Sequence, residues 1–114
     1  VINPKEEGIA IYSFTLPSNV CINNIIVNPG TFSTYKESAY IRINKNAPTE
    51  KSNNYTTLTI GDVKFVNSKN NFRLKTGSPA IDKGKDISSY VISKDFYDNE
   101  RHKGSAYDIG ASEF

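Results

Sequence analysis

Apolar residues in this chain gather in short β-branched and aromatic runs, not at helical spacing. The runs are Ile9-Ala10-Ile11-Tyr12, Val20-Cys21-Ile22, Ile25-Ile26-Val27, Ala39-Tyr40-Ile41-Arg42-Ile43, Thr56-Thr57-Leu58-Thr59-Ile60 and Val63-Lys64-Phe65-Val66. Each has strand length and is bounded by turn-forming clusters such as Asn28-Pro29-Gly30 and Asn46-Ala47-Pro48. No stretch before Ser78 carries convincing helical periodicity, so the pattern predicts an all-β chain. Asn70-Asn71-Phe72-Arg73-Leu74 adds a last strand, with Phe72 and Leu74 on one face.

A weak repeat overlies these strands. Ile9-Ala10-Ile11 returns as Ile41-Arg42-Ile43, 32 residues on, and Asn23-Asn24 returns as Asn53-Asn54, 30 residues on. A drifting period near thirty suits stacked coils with loops of variable length, while a β-sandwich with uneven loops would give the same pattern. Asparagine fits the bends of such coils because it tolerates left-handed backbone and its amide can bond to the next copy. The chain has thirteen asparagines.

Composition narrows the functional classes. The length of 114 residues fits one domain, and 37 % hydrophobic against 23 % charged residues predicts a thin core. Fourteen basic and twelve acidic residues, shared evenly between the halves, leave no basic footprint for nucleic acid. The longest aliphatic run, Ile25-Ile26-Val27, is far short of a membrane span. Cys21 is the single cysteine, which excludes an internal disulfide, and its apolar neighbours favour a small buried side chain over a reactive thiol. His102 is the single histidine, so a zinc site built on two is excluded within this chain.

The last third has its own grammar. Ser78-Pro79-Ala80-Ile81-Asp82-Lys83-Gly84 reads as one short helical turn, with Ser78 as N-cap, Pro79 at the first helical position and Gly84 as a left-handed stop. The charged, aromatic, irregular chain beyond it suits a cap that covers a final coil. Arg101 lies among Asp95, Asp98 and Asp108, and is expected to pair with Asp95 or Asp108 and pin the tail.

This tail resembles the ending of secreted bacterial right-handed parallel β-helix proteins of the pectate-lyase-like, or polysaccharide lyase-like, superfamily. The resemblance runs over about residues 63 to 114, through Asp62-Val63-Lys64-Phe65-Val66-Asn67, Phe72-Arg73-Leu74, the Ser-Pro-Ala-Ile-Asp-x-Gly segment, Asn99-x-Arg101 and Asp108-Ile109-Gly110-Ala111-x-Glu113. Residues 8 to 62 are similar only in texture. Asp98 stands where the family commonly has Gly before the Asn. The resemblance implies an all-β right-handed parallel β-helix: terminal coils over 1–74 and an irregular C-terminal capping segment over 75–114 with one short helical turn. Ser78, Pro79, Asp82, Gly84, Arg101 and Asp108 are its structural cap residues. It further implies the C-terminal portion of a longer secreted or cell-surface protein that acts on or binds polysaccharide, lyase and glycoside hydrolase being the enzyme classes it suggests for the parent, with this portion mainly structural. The alternative is a non-catalytic glycan-binding or adhesive module. The expected partners are polysaccharide, upstream coils of the same protein, and a second copy through the exposed N-terminal coil.

Candidate chemistry is sparse. Alternation along Tyr40-Ile41-Arg42-Ile43-Asn44 places Tyr40, Arg42 and Asn44 on the outer face, where an aromatic platform beside a guanidinium and an amide could hold an acidic sugar; Tyr35 and Tyr55 are possible flanks. Asp95, Asp98, Asn99 and Glu100 offer the oxygen ligands that calcium takes, although the spacing lacks the order of a known calcium loop and also fits a solvated turn. Lys64, Arg42 and Arg73 as bases, or Asp62, Asp82 and Asp86 as acids, have no spacing that singles one out, so no catalytic residue is assigned. Asn54-Tyr55-Thr56 matches a glycosylation acceptor, a pattern frequent by chance.

Overall fold

In the computed structural model, which describes residues 1–14, 19–30 and 39–114, most of the apolar runs become strands, and the first three pair with strands one repeat further on. β1 (Ile9–Ile11) pairs with β4 (Ile41–Ile43), β2 (Asn19–Ile22) with β5 (Thr49–Ser52), and β3 (Ile25–Val27) with β6 (Tyr55–Thr57), all parallel. Ile9 faces Ile41, Asn19 faces Thr49 and Ile25 faces Tyr55. The thirty-residue period is therefore a pairing register.

Asparagines build the bends between these strands. Asn23 and Asn53 both lie in left-handed backbone, at φ 56° and 48°, a conformation asparagine accepts more readily than most side chains. Beside them, the backbone N–H and the side-chain amide of Asn24 donate to Asn54 Oδ1 at 3.0 and 2.9 Å, and Asn54 Nδ2 donates to the carbonyl of Cys21 at 2.8 Å. The Asn54 amide is thus committed to the fold, which argues against its use as a glycosylation acceptor.

The right-handed parallel β-helix expected from the tail does not form. Each sheet among the described residues holds two strands, and the fourth sheet is antiparallel. After β6 the chain makes a single helical turn, α1 (Ile60–Val63), and then a hairpin of β7 (Phe65–Asn67) and β8 (Asn71–Leu74), where a solenoid would start a further parallel pass. The cause is local. Thr57 Oγ1 accepts the N–H of Thr59 at 3.1 Å and donates to Asp62 Oδ2 at 2.6 Å, so the run expected to stay extended to Ile60 turns at Thr57. Lys64, at φ 57°, closes α1 and redirects the chain into β7.

β3 explains the thin core. Its three residues are all buried: Ile25 and Val27 join Val63, Leu74, Ala80 and Ile109 in one cluster, while Ile26 joins Cys21 and Ile41 in another. A strand buried on both faces reads as a continuous apolar run. Because the first cluster draws on β3 and also on Ala80 and Ile109, the stretches 1–74 and 75–114 share one core. The molecule is a flat body of 36 × 32 × 19 Å.

Candidate functional site: an aromatic groove and the tail behind it

The outer-face residues of β4 are largely occupied. Tyr40 is half-buried against the second cluster. Arg42 Nη1 lies 3.1 Å from Glu7 Oε1, and its guanidinium sits 5.3 Å from the ring centre of Tyr12. Asn44 Oδ1 accepts the N–H of Asn46 at 3.3 Å, a turn contact. The guanidinium therefore finds Tyr12 and Glu7 as partners, two residues that strand alternation on β4 could not reveal. Tyr35 lies outside the described residues.

The acidic cluster of the tail is organised around N–H donors. Asp95 Oδ1 accepts from the backbone of Tyr97 and Asn99, both at 2.8 Å, and Oδ2 accepts from Asn99 Nδ2 at 2.9 Å and from the Glu113 N–H at 3.0 Å. Burial alone would raise the Asp95 pKa, but these hydrogen bonds prevail and hold it at about 2. Asp98 pairs with Lys94 at 2.9 Å, and Glu100 is exposed. Asp95, Asp98, Asn99 and Glu100 therefore close a turn, and among the described residues no group of three or more His, Cys, Asp or Glu side chains stands ready for a metal ion.

The cap residues meet the tail through backbone contacts. Ser78 Oγ accepts the Ala80 N–H at 3.3 Å and donates to the carbonyl of Val63 at 2.7 Å, tying the Pro79 turn to α1. The left-handed residue is Asp82, at φ 55°, two positions before the expected stop at Gly84. This conformation lets the Asp82 N–H donate to Asp108 Oδ1 at 2.8 Å while Asp82 Oδ1 accepts from Ala106 at 3.0 Å. The Ala106 hydrogen bond, the strongest influence, lowers the Asp82 pKa. Gly84 has another task. Its N–H donates to the Tyr107 carbonyl, and a Cβ there would lie 2.6 Å from that oxygen and 2.8 Å from the carbonyl of Asp108.

Arg101 takes a carboxylate other than the two expected. Its Nη1 lies 3.2 Å from Glu113 Oε1 and its Nη2 donates to the Gly110 carbonyl at 2.9 Å. Asp95 and Asp108 are already engaged, since Asp108 Oδ2 also accepts the Phe114 N–H at 2.6 Å. The side chains of Arg101 and Glu113 are only 7 % and 1 % exposed.

These contacts form one wall of an open groove of about 690 Å³. Its floor is Ile25, Leu74 and Ile109, one wall is Gly110, Ala111 and Ser112, and the other walls carry Phe65, Phe72, Phe96 and Tyr97. Phe65 and Phe72 meet edge to face at 5.4 Å, as do Phe96 and Tyr97 at 5.2 Å, the arrangement that ring quadrupoles favour. The Arg73 guanidinium lies 3.7 Å from the ring centre of Tyr97, whose hydroxyl accepts the Phe72 N–H at 3.0 Å. Phe96 is 77 % exposed, yet its backbone is fixed by a hydrogen bond to the Ala111 carbonyl at 2.8 Å. The sequence gives little warning of this groove. Its aromatics come from β7, β8 and the tail, with no common spacing.

The acids named as candidates for hydrolysis serve as structural hydrogen-bond acceptors. Asp62 receives Thr57, Asp82 receives Ala106, and Asp86 Oδ1 receives the Ser88 N–H at 2.8 Å. Comparison with family models, curated proteins and solved structures gives no match for this chain. No helix among the described residues is long and apolar enough to cross a membrane.

Proposed function

We propose that this chain is a polysaccharide-binding module of a secreted or cell-surface protein and that the aromatic groove is its sugar seat. One observation carries the proposal: Phe96, a large apolar ring left mostly in water, stands on a fixed backbone at the mouth of an open apolar groove. Exposed apolar patches of this kind mark binding surfaces. The C–H face of a pyranose ring packs well on a flat aromatic ring, and Arg73, held over Tyr97, supplies donors for hydroxyl or carboxylate oxygens. The resemblance of the tail motifs to polysaccharide-active proteins points the same way. Binding without catalysis is preferred because the candidate acids are held as backbone and hydroxyl acceptors.

The test is calorimetry against a panel of neutral and uronate-containing oligosaccharides, with unsaturated products and reducing ends followed in parallel. At least one glycan is expected to bind without being cleaved, and Phe96→Ala to weaken it at least about tenfold, the loss of one ring contact to the sugar, while the melting temperature falls only by what the edge-to-face contact with Tyr97 contributes. Failure of every glycan to bind, or cleavage by this chain, would overturn the proposal. A second copy is the other proposed partner. β1 and β2 each pair on one edge only among the described residues, and Val20 on β2 is 44 % exposed.

A further inference from the structure

The groove wall of Gly110, Ala111 and Ser112 is bracketed by one ion pair. Arg101 holds the Gly110 carbonyl with one arm and Glu113 with another, and the Ala111 carbonyl in turn holds Phe96. Around this pair the charges do not balance. Glu113, Asp108 and Asp95 are all buried, and the guanidinium of Arg101 is the cation paired within the cluster. Glu113 Oε2 and Arg101 Nε are both buried without a hydrogen-bond partner, so the pair meets through a single oxygen where a fork could have met two.

We propose that Glu113 is a proton-operated clasp on the groove: neutral in mild acid it holds the 110–112 wall closed, and ionised at higher pH it loosens that wall. The role of the clasp rests on the sugar-binding reading, while its existence does not. The groups that face Glu113 are Arg101, Asp108 through its N–H at 3.4 Å, Asp95 through Oδ2, and the backbone of Lys103. His102 and Lys103 carry exposed side chains, and Asp82 reaches the cluster only through Asp108.

An ionised Glu113 would leave Oε2 buried without a partner and set its carboxylate against the like charge of Asp108, a cost that one guanidinium contact does not cancel. Burial first, and Asp108 second, raise the Glu113 pKa above its ordinary 4.5 against the pull of Arg101. A carboxyl raised in the folded state adds stability that is full below 4.5 and lost as pH rises through the raised value. The wall is therefore tightest in mild acid.

Hydrogen exchange of the 110–113 amides from pH 4.5 to 8, corrected for intrinsic rates, reads the wall directly. Protection is expected to fall about tenfold as Glu113 ionises, and Glu113→Gln, which keeps the shape without the charge, to hold the acid-level protection at pH 8. A wild-type carboxyl titration by NMR serves if that variant does not fold: Glu113 should titrate above 4.5, with the 110–112 amides shifting at the same midpoint. A Glu113→Gln profile that follows the wild type, a titration at or below 4.5, or amides that ignore it would overturn the clasp. None of these measurements uses a sugar, so an empty glycan panel and a failed clasp are separate results.

Discussion

At the scale of single residues, the tail is held by carboxylates that serve the backbone. Asp95 accepts hydrogen bonds from Tyr97, Asn99 and Glu113, and Asp108 accepts from Asp82 and Phe114. Asp95 titrates at about 2 in place of 3.8. Its stabilisation is complete above 3.8 and lost as pH falls through about 2, amounting to about 2 kcal/mol. Thermal unfolding followed from pH 6 down to pH 2 should show a loss beginning near pH 4, and Asp95→Asn should lower stability at pH 6 and flatten that acid limb. An unchanged acid limb in the variant would remove Asp95 from this role. With Glu113 acting in the opposite sense, both contributions are present together only between about 3.8 and the raised pKa of Glu113. The sequence marked Arg101 as the tail's cation but pointed it at Asp95 or Asp108. Which acid is left for it depends on backbone N–H groups such as that of Asp82, 26 residues away from Asp108.

At the scale of elements, the repeat in the sequence was a sound guide to pairing and a poor guide to how far pairing continues. Ile9 against Ile41 and the two asparagine pairs could be read from spacing because parallel register repeats side chains at one offset. The turn at Thr57 was hidden, since Thr56 to Ile60 has strand composition, and one hydroxyl-to-carboxylate contact with Asp62 diverts it. The asparagine bend has a measurable weight. Asn54→Ala would leave the Asn24 N–H without its acceptor and take one donor from the Cys21 carbonyl, and urea unfolding should show a loss of about 1–3 kcal/mol, with faster exchange at the Asn24 amide. A loss within a few tenths would show that water replaces the amide without cost.

At the scale of the molecule, two features face outward among the described residues: the groove with Phe96 at its mouth, and the outer edges of β1 and β2, which have no strand partner there. Two-stranded parallel sheets leave half their strand edges without a strand partner, a recurring route to self-association. Sedimentation over a hundredfold range of concentration is expected to show a shift from monomer to dimer, and Val20→Lys to abolish it. A monomer across that range would mean these edges are already satisfied. What the sequence determined alone was local: strand-length runs, left-handed asparagines at the bends, a turn starting at Ser78 and an arginine that ties down the tail. These follow from spacing and from the preferences of single side chains. The tertiary structure decided where parallel pairing stops, that Glu113 is the acid Arg101 receives, and that Phe65, Phe72, Phe96 and Tyr97 surround one groove. Those outcomes depend on which backbone groups from distant segments reach each side chain first, and spacing along a chain carries no record of that competition.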